Sequence, residues 1–300
     1  MATYNTELSR DGPGLLLRDI LRNEAQVQAV AQVIAHAAPD VILLQGVDYD
    51  HRLEAAKALQ TRISDQGHDL PHIFAFAPNS GVPTGHDLNG DGRAYGPEDA
   101  RGFGRFLGQG GMLLLSRFEV AEATDLSDRL WADHADPELI RAAWGPGGLA
   151  LPLASVGHWR VKLRLPGAPL TIVGFHATPP VFDGPEDRNG LRNAHQLAAI
   201  TREIDEAEGA LVLLGDANND PEKGEGRKPA INALLGHAGI QDPLDGQPTV
   251  DWRKLGLGWM RVDYALPSAG LHVIAAGTEI APPAANASRH RLVWVDIEPP

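Results

Sequence analysis

The run Leu213-Leu214-Gly215-Asp216-Ala217-Asn218 brings a carboxylate and a carboxamide, two residues apart, to the end of a continuous apolar stretch. Such a pair can orient and polarise a water, or bind a hard cation through its oxygens. Gly215 lets the backbone approach a ligand closely. Taken alone, the segment reads equally well as an Asx-rich turn. The same design recurs, however. Thr171 to Phe175 is an apolar run that ends in His176, followed by Thr178-Pro179-Pro180. Arg261-Val262-Asp263-Tyr264 sets a carboxylate inside an apolar strand, where an unpaired charge is costly. Ser288-Arg289-His290 precedes the run Arg291 to Val295. An Asp buried beside a His would orient the imidazole and stabilise its charged form. One such His alone is more often structural than catalytic, but four polar strand ends with complementary chemistry point to a site.

Alternating strand and helix patterns must position these residues. Asn23, with Gln26 three residues on, predicts a capped helix bearing Val27, Val30, Ala31 and Ile34 on one face. Asp50 predicts a cap for a second helix with Leu53, Ala56, Leu59 and Ile63, and Asn189 for a third with Leu197, Ile200 and Ile204. Strands are expected at 41–44, 72–76, 112–115, 211–214, 261–266, 272–275 and 291–297. A hairpin over 159–165 and 170–176 is expected to turn at Pro166-Gly167. The stretch from Ala121 to Gly157 reads as irregular and is expected to contribute to a substrate wall. No Gly/Ser linker divides the chain. The pattern predicts one α+β domain over 1–300, a layered sandwich of two packed sheets covered by helices, with a Gly- and Asp-rich insertion at about 78–110.

Composition narrows the classes. The chain has 300 residues, and its 26 Lys and Arg against 39 Asp and Glu give a net charge of −13. It therefore gains little from non-specific attraction to nucleic acid, so a nucleic-acid substrate would be held locally. Zero Cys excludes disulfides, thiol catalysis and thiolate metal sites. No run approaches the apolar length of a membrane helix.

The order of the motifs resembles the endonuclease/exonuclease/phosphatase superfamily, the deoxyribonuclease-I-like fold. The resemblance rests on Asn5, Leu43-Leu44-Gln45, Gly111 to Arg117, His176, Gly215 to Asn218, Arg261 to Tyr264 and Ser288-Arg289-His290, and it spans Ala2 to Asp296. It implies a four-layer α/β/β/α sandwich with two packed mixed β-sheets. It also implies hydrolysis of a phosphoester by in-line attack of water, assisted by Mg²⁺ or Mn²⁺. Asn5 would lie near that metal together with Asp216, and His176 would contact the scissile phosphate. Asp216 and Asn218 would activate the water, and His290 would act with Asp263 as its partner. Two departures stand out. The family's second strand usually ends in a metal-binding Glu, and here Gly46 stands there. Arg289 stands where many relatives have Asp, and it could clamp a phosphate.

Asp87 to Glu98 fits a twelve-residue calcium loop, with Asp87, Asn89, Asp91, the Arg93 carbonyl and Glu98 as ligands to a structural Ca²⁺. Arg192, shortly after His176, is a second candidate for substrate phosphate, and Arg188 reads as an ordinary helix-start residue. The expected protein is a divalent-metal-dependent phosphoesterase acting on nucleic acid or a small phosphodiester, without a membrane span or protein partner. It is expected to be secreted or periplasmic with its leader removed, the alternative being cytoplasmic. The rival reading, set by Gly46, is a catalytically impaired relative that binds without turnover. A lipid phosphodiesterase is disfavoured by an aromatic fraction of 6%.

Overall fold

Apolar runs buried on both faces make the two central sheets of this protein, because alternate residues of each strand feed different cores. The structure, a computed structural model, describes residues 1–244, 246–279 and 284–300. In chain order the strands are β1 (Ala2–Asn5), β2 (Val41–Val47), β3 (His72–Phe74), β4 (Gly111–Ser116), β5 (Val120–Asp125), β6 (Gly157–Leu163), β7 (Leu170–His176), β8 (Leu211–Asp216), β9 (Val250–Trp252), β10 (Gly258–Met260), β11 (Asp263–Pro267), β12 (Val273–Thr278) and β13 (Val293–Ile297). The first sheet runs β12-β13-β1-β2-β4-β3, the second β11-β8-β7-β6-β5, and β9 and β10 form a separate ribbon. Each large sheet is mixed, with β1 parallel to β2 in one and β7 parallel to β8 in the other.

Three cores define four layers. Tyr4, Ile42, Leu44, Leu113 and Leu115 face the helices α1 (Leu15–Leu21), α2 (Ala25–Ala37) and α3 (Glu54–Asp65). Leu43, Met112, Leu114 and Val293 meet Trp159, Ile172, Val212 and Leu214 between the sheets. After α4 (Pro137–Trp144), the helices α5 (Arg188–Glu206) and α6 (Lys228–Leu235) cover the far side through Leu197, Ile200, Ile231 and Leu234. The α/β/β/α sandwich expected from the sequence is the fold.

Differences lie at element ends. Glu24, not Asn23, caps α2, its carboxylate accepting from the amides of Gln26 and Val27. Asp50 does serve α3, but from four residues before the helix, accepting from Glu54 and Ala55 at 2.9 Å each. Asn189 lies inside α5 rather than capping it, and its own amide donates to Asp183 Oδ2 at 2.6 Å. The stretch from Ala121 to Gly157 is less irregular than expected. It carries most of β5 and all of α4, whose Asp136 cap and Pro137 start are ordinary helix chemistry.

Candidate active site

Register brings the chemistry together. His176 ends β7 and pairs with Asp216, the last residue of β8, and Asp216 pairs in turn with Asp263, the first residue of β11. Residues opposite one another in a sheet share a face, so the three side chains form one row. From the other sheet, Asn5 ends β1, which packs against both β8 and β11. His290 enters just before β13 and bridges to Val250 of the β9–β10 ribbon.

Asp216 is buried with both oxygens engaged: Oδ2 accepts from Asn5 Nδ2 at 2.9 Å and Oδ1 from the Asn218 amide at 2.8 Å. Burial, then the neighbouring Asp263 charge, pushes its carboxyl up to about 7. Asn218 sits at φ 49 and donates from Nδ2 to the Ala177 carbonyl at 3.0 Å, which leaves its Oδ1 able to accept from a water. His290 Nδ1 lies 3.0 and 2.9 Å from the two Asp263 oxygens and 4.0 Å from Asp216 Oδ2. Burial opposes a charge on this ring, but the Asp263 carboxylate prevails and holds the imidazolium up to about 9. His176 goes the other way. Burial, then the His290 charge, lowers it to about 4, so it is neutral, and its buried Nδ1 has no partner.

The residues placed at substrate phosphate fare differently. Arg192 is 2% exposed, and its guanidinium donates to the carbonyls of Leu153 at 3.1 Å and of Arg101 and Pro152 at 2.7 Å. It fastens the insertion to the segment before β6, and it also stands among the residues that line the cavity beside His176. Arg289 stands at the site, with Nε donating to Glu7 Oε1 at 2.7 Å and its amide to Glu7 Oε2 at 2.8 Å. Glu7 was not singled out from the sequence, because a half-buried Glu beyond a first strand carries no motif. Trp252, whose ring edge meets His290 at 5.7 Å between centroids, was missed for the same reason.

A cavity of about 660 Å³ opens against His176. Phe103 of the insertion, Trp144 of α4, Thr178 and Phe182 line it. Phe182 is 88% exposed at φ 66, a left-handed backbone rarely taken by a bulky residue. In the Asp87–Glu98 loop, Asp87 accepts from the amides of Gly90 at 2.7 Å and Gly92 at 2.8 Å, and Asp91 from the Arg93 amide at 2.8 Å.

The fit of a divalent ion can be tested on the side chains. Asp216, Asp263 and His290 present ligand atoms within 4.8 Å of one another, the one such cluster among the described residues. The His290 nitrogen donates to Asp263 and cannot ligate an ion while it does so, whereas each Asp216 oxygen accepts one bond, from Asn5 or Asn218, and keeps a lone pair. Among the described residues, neither Gln45 nor Asp48 replaces the carboxylate missing at 46. Gln45 donates to Thr3 Oγ1 at 2.8 Å, and Asp48 accepts from the amides of Arg10 and Gly110 at 2.9 Å each. Gly46 itself has φ 70, and a β-carbon there would lie 2.8 Å from Asn5 Oδ1 and 3.1 Å from the Glu7 amide. The residues present do not fit the ion set that the resemblance implied.

A buried Asp–His pair beside a second carboxylate thus stands at the strand ends of a four-layer sandwich. The profile of the endonuclease/exonuclease/phosphatase family matches residues 2–290, and the chain belongs to that family, whose members are hydrolases acting on phosphoesters and generally depend on a divalent metal. Solved structures share the fold. A family protein from Leptotrichia buccalis is 16% identical with TM-score 0.61, the match covering 99% of this chain and 98% of that one. One from Beutenbergia cavernae is 17% identical with TM-score 0.64, covering 99% and 70%. Sphingomyelinase C from Streptomyces griseocarneus is 18% identical with TM-score 0.52, covering 97% and 96%. No curated protein matches the chain. Among the described residues no helix is long and apolar enough to cross a membrane.

Proposed function

We propose that this protein hydrolyses a phosphoester by in-line attack of a water that Asp216 deprotonates and Asn218 holds. The observation that carries this is the Asp263–His290 pair at 2.9 Å with Asp216 Oδ2 4.0 Å from the same ring nitrogen. With Nδ1 bound to Asp263, Nε2–H of the imidazolium is the donor left for a phosphoryl oxygen, where it offsets charge that grows in the transition state. Neutral His176, whose Nε2 lies 3.7 Å from Asp216 Oδ2, supplies a second polar contact. A base poised near neutrality suits Asp216 to the proton transfer. The water oxygen bonds to phosphorus as the bond to the leaving oxygen breaks, and Asp216 takes the water's proton. The cavity beside His176, with Phe103 and Phe182 at its wall, receives the organic part of the ester.

Hydrolysis of a bis-aryl phosphate, plasmid DNA and a phosphomonoester, each with and without Mg²⁺ or Mn²⁺, tests the reading. Turnover of at least one, lost in Asp216→Asn, supports it, and no turnover under any condition overturns it. Gly46 favours a second reading, a relative that binds phosphoesters without cleaving them, and retained binding with no turnover would establish that instead. The Asp87–Glu98 loop is proposed to take Ca²⁺ on the strength of its motif. Calcium should then raise thermal stability in the parent and not in Asp87→Ala.

A further inference from the structure

The two departures from the family pattern, Gly46 and Arg289, are far apart in sequence but meet at Glu7. The space that a side chain at 46 would enter is bounded by Asn5 Oδ1 and the Glu7 backbone. Glu7 stands at φ 50 and donates its amide to Asn5 Oδ1 at 3.2 Å. Its carboxylate reaches the other departure, accepting from the Arg289 amide and Nε and from Ser288 Oγ at 3.1 Å, with Nη2 of Arg289 on the same oxygen as Nε. A bonded chain therefore runs from the Arg289 guanidinium through Glu7 and Asn5 to Asp216. Where the family resemblance implies a carboxylate at 46, this corner of the site has Gly46 and a cation, Arg289, fixed by Glu7.

We propose that the Arg289 guanidinium, held by Glu7, is a built-in cation that binds the substrate phosphate in place of a divalent ion. This rests on the hydrolase reading for its substrate but not for its geometry. Arg289 is half-exposed at the site rim, and its Nη1 has no protein partner among the described residues. A guanidinium keeps its charge at every relevant pH and binds phosphate oxygens directionally, which an acidic chain needs at its active site. The same charge repels an incoming Mg²⁺, and Mg²⁺ dehydrates only where carboxylates reward it. Glu7 sets the direction of the guanidinium, as a carboxylate partner does for a catalytic histidine.

Binding of inorganic phosphate, followed by calorimetry on the full chain in EDTA and then with Mg²⁺ or Mn²⁺ added, reads this without any turnover. The parent should bind phosphate in EDTA, with affinity unchanged by either metal. Arg289→Ala should weaken it about tenfold or more, the loss expected for a charge-assisted contact, and Glu7→Gln should weaken it less. Arg289→Lys should recover part of the affinity, which a loss of folding would not allow. Phosphate binding that needs added metal, or that persists at parental affinity in Arg289→Ala, would overturn the proposal. Failure of the hydrolase reading would show separately, as absence of turnover with phosphate binding intact.

Discussion

Gly46 presses its backbone so close to Asn5 that a β-carbon there would sit 2.8 Å from the Asn5 carboxamide oxygen. The register of β2 on β4 slips here, Gln45 facing Met112 and Val47 facing Gly111, so Gly46 is the extra residue of a bulge at positive φ. Gly46→Ala should therefore cost about 1–3 kcal/mol in chemical denaturation, the range for a strained left-handed residue. Gly46→Glu should not restore a metal-dependent rate, because the grafted side chain has no room to start from. A Gly46→Glu variant as stable as the parent that gained Mg²⁺-dependent turnover would contradict this.

His290 should remain an imidazolium at pH 8, read as ring shifts in NMR titration. The sign follows from its direction: a folded value raised to about 9 by Asp263 contributes stability that is full below the ordinary 6.5 and is lost as pH rises toward 9. Asp263→Asn should lower the titration clearly, since burial opposes the charge and only the weaker pull of Asp216 and Glu7 would remain to raise it. An unchanged titration in that variant would remove Asp263 as the cause.

The rate should be bell-shaped in pH. It rises as Asp216 loses its proton near 7 and falls as His290 loses its own near 9. Asp263→Asn should pull in the alkaline limb while leaving the acid limb in place or shifting it lower, because the Asp263 charge is one of the causes raising Asp216. A rate flat from pH 5 to 10 would mean neither group is in the rate-determining step.

Arg192 should prove structural. Removing its guanidinium in Arg192→Leu leaves the buried Pro152 carbonyl without a donor, a loss of about 1–3 kcal/mol if it stays unsatisfied, while the Leu153 carbonyl keeps Gln196 Nε2 at 2.8 Å. Phosphate affinity of the folded fraction should be unchanged. A variant of parental stability with weakened phosphate binding would return Arg192 to the substrate.

Phe182→Ala should raise KM for a bis-aryl phosphate several-fold with kcat nearly unchanged, since an exposed ring at the cavity wall contributes binding rather than chemistry. An equal fall in kcat would place the residue closer to the reacting atoms than its position beside Thr178 and Pro179 suggests.

The strand ends were legible in the sequence because an apolar run that stops at Asp, Asn or His is a pattern of neighbours along the chain. Asp216, Asn218, Asp263 and His290 were found that way, and the sandwich followed from the same runs. Glu7 and Trp252 were not, since each matters only through a residue far away in sequence, Arg289 in one case and His290 in the other. The bonds of Arg192 to buried carbonyls were not legible, because helix periodicity says which face a residue takes but not whether buried carbonyls wait there. The cap of α2 slipped for a similar reason: Glu24 and Asn23 can both serve the first amides of the helix, and loop geometry decides between them.

Turnover of a bis-aryl phosphate by the parent and by His290→Ala, under identical conditions at pH 8, tests the catalytic assignment most directly. A fall of about 10²–10⁴-fold, the usual contribution of a positioned acid or base, is the result this site predicts. A His290→Ala variant that hydrolysed as fast as the parent would contradict it.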